Sequence, residues 1–70
     1  MALILNIETA TSVCSVVLSR DGLELAKRES RERNIHAAAL NVFIDEVMSE
    51  AGEEPSKLNA VAVSSGPGSY

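Results

Sequence analysis

Tryptophan is absent from this 70-residue chain, which has one Tyr and one Phe. Platforms on which the bases of a single-stranded nucleic acid could stack are therefore missing. Basic residues are also few. Six Lys and Arg against ten Asp and Glu leave a net charge of -4 and a pI near 4.8. Such a chain does not hold a phosphate backbone unaided, although it can join a complex whose other member is basic. The single cysteine, Cys14, excludes an internal disulfide, and no Cys/His cluster has zinc-ligand spacing. A reducing compartment is the simplest match. No apolar run approaches membrane-spanning length. Met1-Ala2-Leu3-Ile4-Leu5 lacks a basic flank and is interrupted by Asn6 and Glu8, so it reads as a strand rather than a signal peptide. A cytoplasmic location is the expectation.

What is present is a globular pattern. The hydrophobic fraction of 46% is too high for disorder. Residues 2–7 are apolar on nearly both faces, with Leu3, Leu5 and Ile7 on one side and Ala2, Ile4 and Asn6 on the other. That predicts a strand inside a sheet. Residues 13–19 mix Val16, Val17 and Leu18 with Ser15 and Ser19, a half-buried strand. Asp21-Gly22 then predicts a type I′ hairpin, because that turn needs positive φ at both central positions. Residues 23–30 begin with Leu23 and Leu25 and end in charges, which suits an outer strand.

The period then becomes helical. Asn34 is the expected N-cap, and Ile35, Ala39, Val42, Phe43 and Val47 form a stripe widened by Leu40, Ile44 and Ala51. Asn41, Asp45, Ser49 and Glu50 form the wet face, Gly52 the stop, and Pro55 the bar to resumption. Ala60-Val61-Ala62-Val63 predicts a fourth strand, apolar on both faces and central. Hairpins make the first three strands antiparallel, and the helix returns the chain so that the fourth runs parallel to one of them. Placing the two most apolar strands side by side gives the order 3-2-1-4. One helix covers one face, so the other face is expected to be apolar and exposed. Ser64-Ser65-Gly66-Pro67-Gly68-Ser69-Tyr70 reads as a strand-exit loop with no helix after it. Residues 1–70 are accordingly expected to be the front part of a first domain, ending after the Gly-Pro-Gly loop.

Small, hydroxyl-rich loops at the ends of two buried strands are where a nucleotide-handling α/β site begins. Glu8, Thr9 and Thr11 follow the first strand. In the actin, hexokinase and Hsp70 superfamily an acid there positions the hydration shell of magnesium. Ala10 stands where that superfamily often has glycine, and its Cβ hinders approach of phosphate. Capping of a hairpin is the favoured role for Glu8 and Thr9. Gly66 and Gly68 flank Pro67 and leave room for an anion or a partner backbone, with a plain strand exit as the simpler explanation. His36 has Leu40 four residues on, so it is expected to pack rather than ligate. Cys14 is expected to be a small buried hydrophobe.

The runs Ile4-Leu5-Asn6-Ile7-Glu8-Thr9-Ala10-Thr11, Cys14-Ser15-Val16-Val17-Leu18 and Asp21-Gly22, with His36 before an amphipathic helix, then Ala60-Val61-Ala62-Val63 and Gly66-Pro67-Gly68-Ser69-Tyr70, closely resemble the N-terminus of the TsaB (YeaZ) family. The resemblance covers essentially the whole chain and the first part of the family. It implies an α/β fold of the ribonuclease H-like, actin-like ATPase kind, within the glycoprotease-like (peptidase M22-like) group. The implied role is that of a non-catalytic subunit supporting the TsaD-like enzyme that makes N6-threonylcarbamoyladenosine in tRNA, alongside a TsaE-like ATPase. A homodimer is a further association to consider, and tRNA would be met only through the complex. Glu8, Thr9, Thr11, Gly66 and Gly68 would then be vestigial nucleotide-type loops, with no cofactor or metal of the chain's own and ATP and magnesium belonging to the complex. Asn41, Asp45 and Met48 on the helix are the implied partner contacts. A catalytic TsaD-like or actin/hexokinase-superfamily nucleotide-dependent transferase is the alternative. Ala10 and Ser69-Tyr70 after Gly-Pro-Gly favour the TsaB side.

Overall fold

The computed structural model describes residues 2–9, 13–31 and 37–65, with the side chains of Ala37 and Ser65 left aside. The expectations for Ala10, Thr11, Asn34, Ile35, His36, Gly66 and Gly68 lie outside these residues. The elements are β1 (Leu3–Thr9), β2 (Cys14–Arg20), β3 (Leu23–Ser30), α1 (Ala37–Ala51), a short 3-10 turn (Pro55–Lys57) and β4 (Ala60–Ser65). They form one sheet of order β3-β2-β1-β4. β1 and β3 each pair antiparallel with β2, and β4 runs parallel to β1.

The β2–β3 turn has φ of 51° at Asp21 and 82° at Gly22, the double positive φ that the dipeptide predicts. Just past the turn, Leu18 pairs with Ala26 but Ser19 with Glu24, leaving Leu25 as the extra residue of a β-bulge. Leu25 packs against the core. The core itself is Leu3 and Leu5 of β1, Val16 and Leu18 of β2, Ala26 of β3, and Val47 and Met48 of α1. Their alternation along each strand puts them on one face, over which α1 lies.

Helix α1 rotates about 3.6 residues per turn, which brings Leu40, Phe43, Ile44, Val47, Met48 and Ala51 to one side. Two expectations are corrected by that phase. Val42 points the other way and is 51% exposed. Met48, expected at a partner surface, is 4% exposed and belongs to the core. It sits one residue beyond Val47 and four beyond Ile44, so the sheet-facing side claims it. The helix ends as Gly52 predicts. At φ 67°, the Gly52 N–H donates to the Ser49 carbonyl at 3.1 Å and the Glu53 N–H to the Met48 carbonyl at 2.9 Å, a Schellman cap.

α1 crosses β2 and β3. Arg28 of β3 holds it there, with Nε 3.4 Å from Glu46 and a guanidinium nitrogen 2.8 Å from Glu50. The hydrogen bond to Glu50 raises the Arg28 pKa above its ordinary value. Arg20 pairs with Glu53 and ties the end of β2 to the segment after the helix. Among the described residues β4 pairs with β1 alone, so it is an edge strand rather than a central one, and α1 lies over the other half of the sheet. Val61 and Val63, on the helix side of β4, are 54% and 67% exposed. The exposed apolar surface therefore lies beside the helix. The opposite face is mixed, with Asn6, Glu8, Ser15, Ser19 and Ser64 among Ile4 and Val17, and is not the apolar face expected.

Candidate functional site

The first strand runs two residues past Ile7, through Glu8 and Thr9. Strand pleating then sends those two side chains to opposite faces. Thr9 lies across from Cys14 on the helix side, whereas Glu8 lies across from Ser15 on the other. The structure therefore separates two of the residues that the sequence placed in one loop. Cys14 is 1% exposed, and burial raises its thiol pKa. It is the small buried hydrophobe expected, since the thiol rather than the reactive thiolate is favoured there.

Glu8 pairs with Ser15 on one side and with Ser64 on the other. The three form a rung, hydroxyl–carboxylate–hydroxyl, across β2, β1 and β4. Val17, Asn6 and Ala62 form the next rung on the same face. Together these residues, with Ile7 and Val63, line a depression of about 210 Å³. Glu8 is exposed in it, Ser15 is half-buried, and Asn6 and Ser64 are exposed. Glutamate is disfavoured in strands, and this one occupies a central strand. Its exposure at the end of that strand lets the carboxylate stay in water there.

Among the described residues, the lining side chains offer one carboxylate, two hydroxyls, one amide and no cation. That set can accept hydrogen bonds and face a cation or a hydrated ion. It supplies nothing to counter the charge of a phosphate. Asn6, Ser15 and Ser64 were not singled out in the sequence. Their signal is strand register: once Glu8 is placed in β1, antiparallel pairing brings Ser15 and parallel pairing brings Ser64 beside it. Among the described residues, no group of three His, Cys, Asp or Glu could hold a metal ion.

The second candidate surface is the outer side of α1. Asn41 and Asp45 are exposed there, as expected, and Val42 lies between them. Ala38 and Ser49 extend the exposed side. No helix among the described residues is long and apolar enough to cross a membrane.

Comparison with known proteins places the chain in a family. The family model described as TsaD, tRNA N6-adenosine threonylcarbamoyltransferase, matches residues 29–70. The tRNA threonylcarbamoyladenosine biosynthesis protein TsaB of Escherichia coli (strain K12) is 36% identical over 67 residues, which is 96% of this chain and 29% of that protein. The solved structure of YeaZ from Pseudomonas aeruginosa superposes with a TM-score of 0.87 at 30% identity, covering 100% of this chain and 32% of that one. A second structure, an uncharacterized protein with similarity to peptidase YeaZ from Pseudomonas aeruginosa, gives a TM-score of 0.86 at 30% identity, with the same coverage of 100% and 32%. The chain thus spans about a third of the length of the relatives it matches.

Proposed function

The chain belongs to the TsaB (YeaZ) family, and from that premise we propose that it serves as a non-catalytic subunit in the threonylcarbamoylation of tRNA adenosine, in the cytoplasm, docked on a TsaD-like enzyme. The single observation that carries the non-catalytic part is the composition of the depression. Among the described residues, one carboxylate, Glu8, faces it, and no cationic side chain lines it. A nucleotide triphosphate bound there would rest its charge on a carboxylate of the same sign. If ATP and magnesium take part, Glu8 is the described residue that could face the hydration shell of the metal. The positive groups would have to come from outside the described residues.

Partner docking falls to α1 in this reading. Its inner side is spent on the sheet, and its outer side presents Asn41, Val42 and Asp45. A small apolar centre within a polar rim is the composition of a protein-binding patch. The acidic chain would meet tRNA only through its partners, with a TsaE-like ATPase supplying nucleotide turnover.

A catalytic reading has one specific observation behind it: the family model that matches residues 29–70 is that of the transferase. Hydrolysis separates the two. Full-length protein alone should turn over ATP no faster than a buffer control, and Glu8→Gln should leave that rate unchanged. Steady hydrolysis that Glu8→Gln abolishes would establish the catalytic reading instead.

A further inference from the structure

Asp21-Gly22 does more than turn the chain, and its surroundings are specific. The Ala2 N–H donates to Asp21 Oδ1 at 2.7 Å, and the Asp21 N–H donates to the Ala2 carbonyl at 2.9 Å. This reciprocal pair joins the start of β1 to the β2–β3 turn. Both turn residues are exposed. A Cβ built on Gly22 would meet nothing within 4 Å, so solvent reaches the turn freely.

We propose that Asp21-Gly22 is a site of spontaneous aspartate isomerisation, and that the hydrogen-bonded pair with Ala2 sets its rate. The chemistry needs only water. The Gly22 backbone nitrogen attacks the Asp21 side-chain carboxyl carbon. A C–N bond forms, the nitrogen loses its proton, and the carboxyl hydroxyl leaves as water, closing a five-membered succinimide. Water then adds back at either carbonyl. Opening at the main-chain carbonyl leaves Gly22 attached through the Asp21 side chain, which is isoaspartate. Mass and redox state are unchanged overall.

Glycine makes the attack feasible because no β-carbon shields its nitrogen. The bond from Ala2 opposes it by tethering Oδ1 to the residue before β1, which restricts the rotation that brings the carboxyl carbon to the Gly22 nitrogen. Opening of that pair is local and needs no global unfolding, so the rate follows the free energy of a small fluctuation. The product has structural consequences. An isoaspartyl link adds one carbon to the main chain of a two-residue turn, which has no slack, and it draws Oδ1 away from Ala2. Leu3, the next residue, is 4% exposed in the core, so loosening at Ala2 reaches the packed face.

The test uses the full-length protein, aged at physiological temperature and pH. Isoaspartate is counted by methyl transfer from a protein isoaspartate methyltransferase and located by fragmentation of the peptides. Asp45, followed by Glu46 within α1, serves as the internal control. Isoaspartate should accumulate at Asp21 and not at Asp45. Ala2→Pro removes the donor but keeps the carbonyl, and should raise the Asp21 rate several-fold. Should Ala2→Pro misfold, the wild-type rate in denaturant, set against the native rate, measures the protection given by the folded turn and its bonds to Ala2 together. Equal rates with and without the Ala2 donor would overturn the proposal. So would equal native and denatured rates, or no isoaspartate at Asp21 in native protein over a period in which the denatured chain accumulates it.

Discussion

Leu18→Ala should lower the unfolding free energy of the full-length protein by about 2–5 kcal/mol, the range for truncating a buried leucine. Leu18 is 0% exposed. It pairs with Leu5 on β1 and Ala26 on β3, and α1 covers the face it occupies. Neighbours on three elements prevent the site from collapsing, so the cavity persists and its cost adds to the lost transfer free energy. The total stability of a domain is roughly 5–15 kcal/mol, which makes this a large fraction. Leu23→Ala removes the same atoms from a side chain that is 69% exposed. It should change stability by no more than about 0.5 kcal/mol. Urea titrations with unchanged slope would read both values from the midpoints. Equal shifts for the two variants would show that α1 does not seal this face of the sheet.

Asp45→Arg should weaken binding of a TsaD-like partner at least about tenfold, or roughly 1.4 kcal/mol, while leaving the fold intact. Asp45 lies on the outer side of α1 and is exposed, next in space to Val42 and Asn41. Arginine there places a long charged group on a patch whose other residues are small. Docking would then require that group to be desolvated or the partner to move aside. The same change costs little in the free protein, since exposed positions tolerate substitution within about 0.5 kcal/mol. Asn41→Arg should act in the same direction. Undiminished partner binding by both folded variants would remove α1 from the interface.

The elements that the sequence revealed best were those whose signals are local. Asp21-Gly22 demanded positive φ twice, and Gly52 demanded it at a helix end. Residues 23–30 matched β3 at both ends. Residues 2–7, apolar on nearly both faces, pointed to a strand inside the sheet, and β1 lies between β2 and β4. What the sequence concealed depends on distances between elements. Val42 and Met48 are both apolar, and only the position of α1 over β2 and β3 decides that Met48 is packed and Val42 is not. Val61 and Val63 look like central-strand residues, yet the helix does not extend over β4.

The candidate site divides in the same way. Glu8 stood out as an acid at the end of an apolar run, but the hydroxyls beside it are seven and fifty-six residues away in sequence, at Ser15 and Ser64. Only pairing register joins them. Asn59 was likewise hidden. Its side-chain Oδ1 accepts from the Leu3 N–H at 2.7 Å, and its own N–H donates to the Leu3 carbonyl at 2.8 Å, which fixes where β4 begins to run beside β1. A lone asparagine before a strand gives no sign of which backbone it will meet.

The most direct test is formation of threonylcarbamoyladenosine on tRNA by a TsaD-like enzyme and a TsaE-like ATPase, supplemented with full-length protein in wild-type, Glu8→Gln and Asp45→Arg forms. Glu8→Gln should support the wild-type rate, because its carboxylate would take no part in the chemistry. Asp45→Arg should be several-fold less effective at low concentration and recover as its concentration is raised, the behaviour of a weakened docking surface. Loss of modification by Glu8→Gln at saturating concentration, with partner binding intact, would contradict the non-catalytic role and assign the depression to the reaction itself.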